Sequence, residues 1–557
     1  MSRVAIALIF ASIAANAALI RVPQDAPTIQ GAIDLAQVRD TVMIDSGRYV
    51  ESVEVPSRGL TLCSSFILSG DTNDIQGCVW QGVNNGDDSL RCISSDAVSG
   101  NDPTLHIIGI RFVNSGTYFL DEGGAIRIFL QDAEIEHCRF DSCYAGYGGA
   151  IAVRLGSAVI SNCTFSNCGQ LRLASVLRVR EGRVLMDTCV VENDTTFEDI
   201  FETPVLFWVQ ASNLTVRNTV FRNIGYYPYE WGGTFVYGSK PPDSVEFIGC
   251  EAYDNHIEVM VSDGGLPIRY LRIDSCHFHD NILTQALYDQ SSFDSLTTFQ
   301  AIGNVFESFA PYARAQMHGL FALDTASQNE TRVEFNLVQD IHGGHTSFCS
   351  IFGNSHRQRT VKRNFILDNS NHSVTWPPSG QVLTLGDGDR ELEENIFAGN
   401  IGYAVYQGPI NATSYAQRNY WNHATGPYDS VGNPGGQGDT VEWRIQYEPW
   451  EEDTSFFESA TEPRVTVEVP ESFIENSYPN PFNGNVTIEF VVRRQQEIVL
   501  DIFDLTGQKV ITLFSGRINA GVHVRVWQPE TQASGVYFAR LAGGDGAKST
   551  AKLMYLK

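Results

Sequence analysis

The chain has 557 residues, 43% of them hydrophobic, and its 65 acidic side chains against 38 basic ones leave a formal charge of −27. With no basic stripe to offset that imbalance, a nucleic-acid partner is excluded. No later segment reaches the roughly 20 apolar residues of a spanning helix, so no stable transmembrane segment is expected. The length fits several ordinary domains or one long repetitive domain with a small companion.

Arg3 supplies a short basic start, Val4–Ala15 an apolar stretch, and Ala15-Asn16-Ala17 the small residues that a signal peptidase requires. Residues 1–17 therefore read as a signal peptide, with a mature chain beginning near Ala18 outside the cytoplasm. Across Ala26–Val38, the residues Ile29, Ala32, Ile33 and Ala36 share one helical face, as expected of a helix that covers the open end of a stack of strands. Thr41–Ile44 reads as a strand, Ser46-Gly47-Arg48 as a turn, and the segment through Val53 and Val55 as another strand.

A short motif then recurs: IIGIRF at Ile107, IEHCRF at Ile135, ISNCTF at Ile160, IDSCHF at Ile273, AIGNVF at Ala301 and VKRNFI at Val361 are six of its appearances. Aligned on the fourth residue, the anchors are Ile110, Cys138, Cys163, Cys189, Thr219, Cys250, Cys276, Asn304, Asn336, Asn364 and Asn395, with Asn419 as a twelfth. Self-similarity at this short period is the mark of a solenoid. The residues three before and two after each anchor are apolar, those beside them polar, and the residue four after it is a turn former; this is strand behaviour, with position +2 inward and positions +1 and +3 outward. The expected fold is all-β, a right-handed parallel β-helix with an N-terminal capping helix, over residues 18–446. Stacked asparagines bond amide to amide from coil to coil, so Asn304 onward reads as a structural ladder.

The eleven cysteines are an odd number and cannot all pair within the chain. Those at the anchors suit small buried hydrophobes. Cys143 and Cys168 form a second, shorter stack open to a disulfide, and Cys63, Cys78 and Cys92 include a pair able to staple a loop.

The segment IRVPQDAPTIQGAIDLAQVRDTVMIDSGRYVESVEV resembles the opening of proteins of the pectin-lyase-like parallel β-helix superfamily, and NYWNHATGPYDSVGNPGG from Asn419 is similar to a terminal segment common in its secreted members. The resemblance covers about residues 20 to 446. It implies either polysaccharide lyase or glycoside hydrolase activity or a non-catalytic role; fold alone decides nothing here. For a lyase it also implies acidic calcium ligands.

Residues 447–472 are acidic and aromatic, carry no anchor and read as a linker. Residues 473–557 hold short alternating strands, TIEFVV, IVLDIFDLTGQKV, GVHVRVW, SGVYFARL and AKLMYLK, enough for a small immunoglobulin-like β-sandwich. Tyr478-Pro479-Asn480-Pro481-Phe482, Asp504-Leu505-Thr506-Gly507 and Ser534-Gly535-Val536-Tyr537 resemble the type A C-terminal sorting domain of the type IX secretion system; Gly484-Asn485 departs from its usual proline-containing continuation. The resemblance implies a Gram-negative-type bacterium, passage through the periplasm, and the export machinery as a partner.

For chemistry, no GxSxG elbow, HExxH helix, phosphate loop or dinucleotide fingerprint is present. No compact pair of carboxylates marks a glycosidase, and the catalytic residues stay unknown. The outward rows of the repeat instead gather a polar and aromatic patch. Glu192 and Arg222 fall one coil apart, and Glu251 and Tyr253 fall beside His277 and His279. These six are candidate substrate-binding residues, through aromatic stacking and charge-assisted hydrogen bonds to a sugar. An ordinary polar outer face would have the same composition. Two loops are further candidates: Tyr226-Tyr227-Pro228-Tyr229-Glu230-Trp231 for sugar stacking, and Asp340, His342 and His345 for metal. No cofactor is expected, calcium entering only for the lyase alternative. The expected protein is a monomeric, secreted or surface-displayed β-helix that binds extracellular polysaccharide or another surface partner. A carbohydrate-active enzyme and an architectural rod are the alternatives.

Overall fold

The computed structural model describes residues 18–555 except 84–89, 98–102, 117–121, 174, 194–204, 226–232, 241–243, 263–268, 289–297, 309–320, 325–329, 342–348, 353–358, 370–380, 386–390, 408–413, 457–471, 479–481, 493–495, 505–508, 519–520, 530–531, 533–534 and 544–547. The signal-peptide reading, the Tyr226–Trp231 loop, His342 and His345 lie outside the described residues.

Each turn of the chain lays one short strand on each of three parallel sheets. Leu105–Ile108 joins the first, Arg111–Val113 the second and Ile126–Phe129 the third, before Ala133–Glu136 returns to the first. The first sheet has 14 strands, from Leu19–Val22 to Glu391–Glu393; the second has 13, from Gly47–Val50 to Ile396–Ala398. The third has 15 and ends at Gly438–Val441 and Pro427–Tyr428. The sheets thus have more rungs than the sequence has anchors, because the coils before Ile110 stack without the motif. Ser46-Gly47-Arg48, expected as a turn, instead leads directly into the strand Gly47–Val50, which pairs with Cys78–Gln81.

The period-two pattern explains why these segments lie as they do. In Arg139–Asp141 the central Phe140 is buried and its neighbours are partly exposed, and the same holds for Thr164–Ser166, Val220–Arg222 and His277–His279. Buried +2 rings stack along the axis. Trp80, Phe112, Phe140 and Phe165 have successive centroids 5.8, 5.1 and 4.8 Å apart, close to the spacing of paired strands. The turn after the second sheet places Asn114, Ser142, Asn167, Asn193 and Asp254 in the left-handed region, where short polar side chains are tolerated.

At the corner between the first and second sheets, the anchors are buried and bonded. Asn304 Nδ2 donates to Ile273 O at 2.9 Å and to Asn336 Oδ1 at 2.9 Å, and Asn336 Oδ1 also accepts the Asn304 backbone N–H at 3.0 Å. The pattern repeats through Asn364, Asn395 and Asn419. Cysteine makes a weaker form of the same link: Cys163 Sγ reaches Ile135 O at 3.5 Å and accepts the Cys138 N–H at 3.4 Å. All ten described cysteines are buried thiols. Cys143 therefore does not bridge to Cys168, nor does any pair of Cys63, Cys78 and Cys92 staple a loop; Cys143 Sγ instead points to Phe112 O and Cys168 Sγ to Phe140 O, each on the preceding coil.

The N-terminal end is covered by the helix Ile29–Leu35, shorter than the apolar periodicity suggested. Thr28 caps it by accepting the Gly31 N–H at 3.0 Å, and the Glu51 carboxylate accepts the Ile29 and Gln30 N–H groups at 2.8 and 3.1 Å. Ile29, Ala32, Ile33 and Ala36 join the solenoid core. At the other end Tyr447 is buried in that core and Trp450 packs beside it, its Nε1 donating to Ala424 O at 3.1 Å.

A second core, with Val486, Phe490, Leu500, Trp527 and Leu541 among its members, belongs to the C-terminal sandwich. Its antiparallel sheets have three and four strands, between Ser472–Tyr478 and Lys548–Tyr555. Among the described residues no helix is long and apolar enough to cross a membrane.

Candidate functional site

The outer face of the second sheet is set by register alone. Val190, Val220, Glu251, His277 and Val305 form one row in line, and Glu192, Arg222, Tyr253, His279, Glu307 and Gln339 form the row beside it. All six candidate residues named from the sequence therefore stand on one face, across four consecutive coils. Their side chains are interlinked rather than independent.

Arg222 Nε donates to Glu192 Oε2 at 2.9 Å, and its Nη1 donates to the Tyr253 hydroxyl at 3.3 Å. These bonds, to Tyr253 first and Glu192 second, hold the guanidinium pKa above its ordinary value. The Tyr253 ring stacks on His279, with centroids 5.1 Å apart and planes 16° from parallel. One ring face is thus occupied by the neighbouring coil, leaving less of the tyrosine for a flat sugar than its exposure in sequence suggests. His279 Nδ1 lies 2.8 Å from Asp280 Oδ2 and its Nε2 lies 3.4 Å from Glu251 Oε1. Partial burial works to lower the His279 pKa, but bonds to Asp280 and Glu251 outweigh it and raise the value. His277 Nε2 lies 2.7 Å from Glu307 Oε1, and Gln339 Nε2 donates to Glu307 Oε2 at 2.6 Å. Burial pushes Glu307 upward, yet the bonds from His277 and Gln339 prevail and hold its carboxyl below the ordinary range.

Asp280, Glu307 and Gln339 are additions to the sequence-derived set. Glu307 and Gln339 continue the same +3 row, so the signal was present; Asp280 sits at the +4 turn position, where its left-handed backbone, φ 51°, is the sufficient explanation from sequence. Its contact with His279 depends on side-chain direction and leaves no pattern. Asp254 takes the matching turn conformation, φ 54°. Of the proposed metal-binding loop, Asp340 is a left-handed turn residue, φ 53°.

A polar cluster on the third sheet was not legible at all. The buried Arg178 guanidinium pairs with Glu122 and lies 4.1 Å from the Trp208 ring centroid. It joins neighbouring rungs, since Arg178 and Trp208 are in register, and its burial fits a structural ion pair.

Two family descriptions match the chain. Residues 64–332 match the right handed beta helix region, and residues 476–555 match the secretion system C-terminal sorting domain. The chain is a right-handed parallel β-helix protein with a C-terminal sorting domain. This β-helix protein is accordingly secreted or surface-displayed, exported by a Gram-negative-type secretion system whose machinery reads the terminal sandwich. No curated protein matches it. Solved structures similar to the β-helix protein include PfbA, a surface adhesin of Streptococcus pneumoniae, at 12% identity and a TM-score of 0.33, covering 71% of this chain and 93% of that one. The tailspike protein of E. coli bacteriophage HK620, in complex with a pentasaccharide, is 10% identical with a TM-score of 0.27, covering 89% and 88%. The PL6 family alginate lyase AlyGC is 10% identical with a TM-score of 0.18, covering 76% and 100%. Likenesses this distant carry no argument about substrate.

Proposed function

We propose that the β-helix binds an extracellular polysaccharide along the outer face of its second sheet, without cleaving it. The observation that carries this reading is the pair of linked groups on one face, Glu192–Arg222–Tyr253–His279–Glu251 and His277–Glu307–Gln339, which meet where the two imidazole rings touch and form a strip of hydrogen-bonding side chains along successive coils. Half-exposed ion pairs contribute little to stability, on the order of 0–1 kcal/mol each, so the fold gives small reason for such a network. What the network does supply is side chains held in place before a ligand arrives, which lowers the entropy cost of binding.

The charge balance selects a class of polymer. Across the two rows of this face, Glu192, Glu251 and Glu307 outnumber Arg222, and the whole chain carries −27. A polyanionic uronate would be repelled, whereas a neutral polysaccharide presents hydroxyls to both the carboxylates and the guanidinium. Because Tyr253 is stacked on His279, recognition relies on hydrogen bonds more than on sugar–ring stacking. Glu307, held below the ordinary carboxylate range, is the opposite of a general acid, which needs its proton at neutral pH.

The test is a binding panel of neutral and acidic polysaccharides with the full chain, following both association and polymer length. Binding to a neutral polymer of unchanged length, weakened about tenfold or more by Arg222→Ala combined with Tyr253→Ala, is expected. Binding insensitive to that double change would remove the strip from the account. Shortening of the polymer would replace binding by catalysis.

A further inference from the structure

The sequence Cys276-His277-Phe278-His279 alternates across the second sheet, so Phe278 enters the core and both histidines emerge on one face. Glu251 is the register partner of His277 on the preceding coil. The two imidazole rings lean together, with centroids 4.4 Å apart. One donor atom from each of Glu251, His277 and His279 then falls within 4.8 Å of the others, the one such convergence of metal-ligating side chains among the described residues. From this geometry we infer that Glu251, His277 and His279 form a binding site for a divalent transition-metal ion of the zinc class.

Distance and orientation both favour an ion. With bonds of about 2.0–2.1 Å, two ligands on a tetrahedral zinc stand about 3.4 Å apart. His279 Nε2 and Glu251 Oε1 lie 3.4 Å apart, long for a hydrogen bond but equal to that tetrahedral edge. Asp280 Oδ2, 2.8 Å from His279 Nδ1, fixes the ring so that Nε2 is the atom left for the metal. Glu307 orients His277 in the same way, and Gln339 holds Glu307 from behind. Metal-binding histidines are typically supported by such carboxylate partners. Neither Asp280 nor Glu307 is counted as a ligand.

The donor set decides the chemistry. Two imidazoles and one carboxylate suit zinc, nickel or copper, whereas calcium and magnesium prefer oxygen-only shells. Three protein ligands on a partly exposed surface leave a coordination position open to water or to a ligand from outside. The buried cysteines contribute nothing, since their sulfurs lie inside the solenoid. The site needs no glycan, and the glycan reading needs no metal.

Metal uptake by the untagged full chain, measured by calorimetry and elemental analysis, tests the assignment directly. One zinc ion per chain is expected, undisturbed by a roughly thousand-fold excess of calcium or magnesium. His279→Gln or His277→Gln should abolish stoichiometric uptake while leaving the circular dichroism unchanged, because both side chains are on the outer face. Asp280→Asn keeps a residue tolerant of the left-handed turn but loses the orienting carboxylate, and should weaken uptake about tenfold. Copper bound at the site should show coupling to two nitrogens in its electron paramagnetic resonance spectrum. No uptake by the unaltered chain, or full uptake after both histidine substitutions, overturns the proposal. Polysaccharide binding measured with and without chelator separates the metal site from the glycan strip.

Discussion

The same buried corner is built with sulfur in one stretch of the solenoid and with amides in another. From Cys138 to Cys189, and again at Cys250, each thiol reaches a carbonyl of the preceding coil at 3.5–3.6 Å. From Asn304 to Asn419, each amide nitrogen reaches the equivalent carbonyl at 2.8–2.9 Å. The side-chain oxygens from Asn336 to Asn419 also accept two donors from the coil before. A thiol has one weak donor and a soft acceptor, whereas an amide has two donors and an acceptor with two lone pairs. The cysteine stretch is therefore held mainly by packing, and the asparagine stretch by a continuous hydrogen-bonded network whose members are costly to lose one at a time.

The largest expected effect is at the middle of the amide network. Asn336→Ala removes two donated bonds and the acceptor for two more, all inside the core, and should destabilise the surrounding coils by about 4 kcal/mol. Hydrogen exchange of peptides containing Asn304 and Asn364 should accelerate about a thousandfold. An effect no larger than that of a cysteine deletion would break the comparison.

The next effect concerns where a parallel amide network ends. Asn369 donates to Asn400 Oδ1, and Asn400 in turn donates to Asp439 Oδ2 through both its side chain, at 2.7 Å, and its backbone, at 3.1 Å. Burial raises the Asp439 pKa from 3.8 to about 6, against the opposing bonds from Asn400 and Gly399. The folded state therefore binds this proton more tightly than the unfolded one. Its stabilising contribution is complete below about pH 3.8 and is lost as pH rises through about 6. Asp439→Asn removes that loss and extends the amide chemistry by one rung. A gain of up to about 3 kcal/mol at pH 8, shrinking towards zero near pH 4, is expected from thermal midpoints at the two pH values. A gain independent of pH would assign the effect to packing instead.

The smallest effect belongs to sulfur. Cys163→Ala deletes one thiol with long contacts to Ile135 O and the Cys138 N–H, and should cost about 1 kcal/mol. The denaturation midpoint of this variant against that of Asn336→Ala sharpens the contrast into a ratio.

How much of this was legible depends on which features repeat chemically. The inward +2 residues from Phe112 to Trp421, the outward rows with Glu192 through Gln339, and the ladder from Asn304 are fixed by residue type at constant spacing, so sequence reveals them. The second ladder, which includes Asn255, Asn281, Asn369 and Asn400, stayed hidden because Cys143, Cys168, Ile224 and Ile341 occupy its position in other coils. The left-handed corner before the anchor was equally invisible. His137, Thr188, Phe335 and Arg363 adopt it at φ 53–59° with no shared chemistry. Inter-coil bonds such as His137 N–H to Ser161 O impose it from outside. At the candidate site, sequence placed Glu251 beside His277 and His279, but the lean of one imidazole towards Glu251 and the other towards Glu307 is set by rotamers, which register does not specify.

The buried sulfurs have one further consequence for an exported protein. They sit in compartments where thiols are ordinarily driven to oxidise. Burial holds Cys63 up to about 12 and Cys92, Cys163 and Cys276 well above the ordinary range, so the reactive thiolate is all but absent while the coils stay closed. A sulfur that has become oxidised or alkylated thus records that its own coil once opened. Spread along the rod, Cys63, Cys92, Cys163 and Cys276 act as a dosimeter, preserving a position-by-position history of breathing over the coils between them.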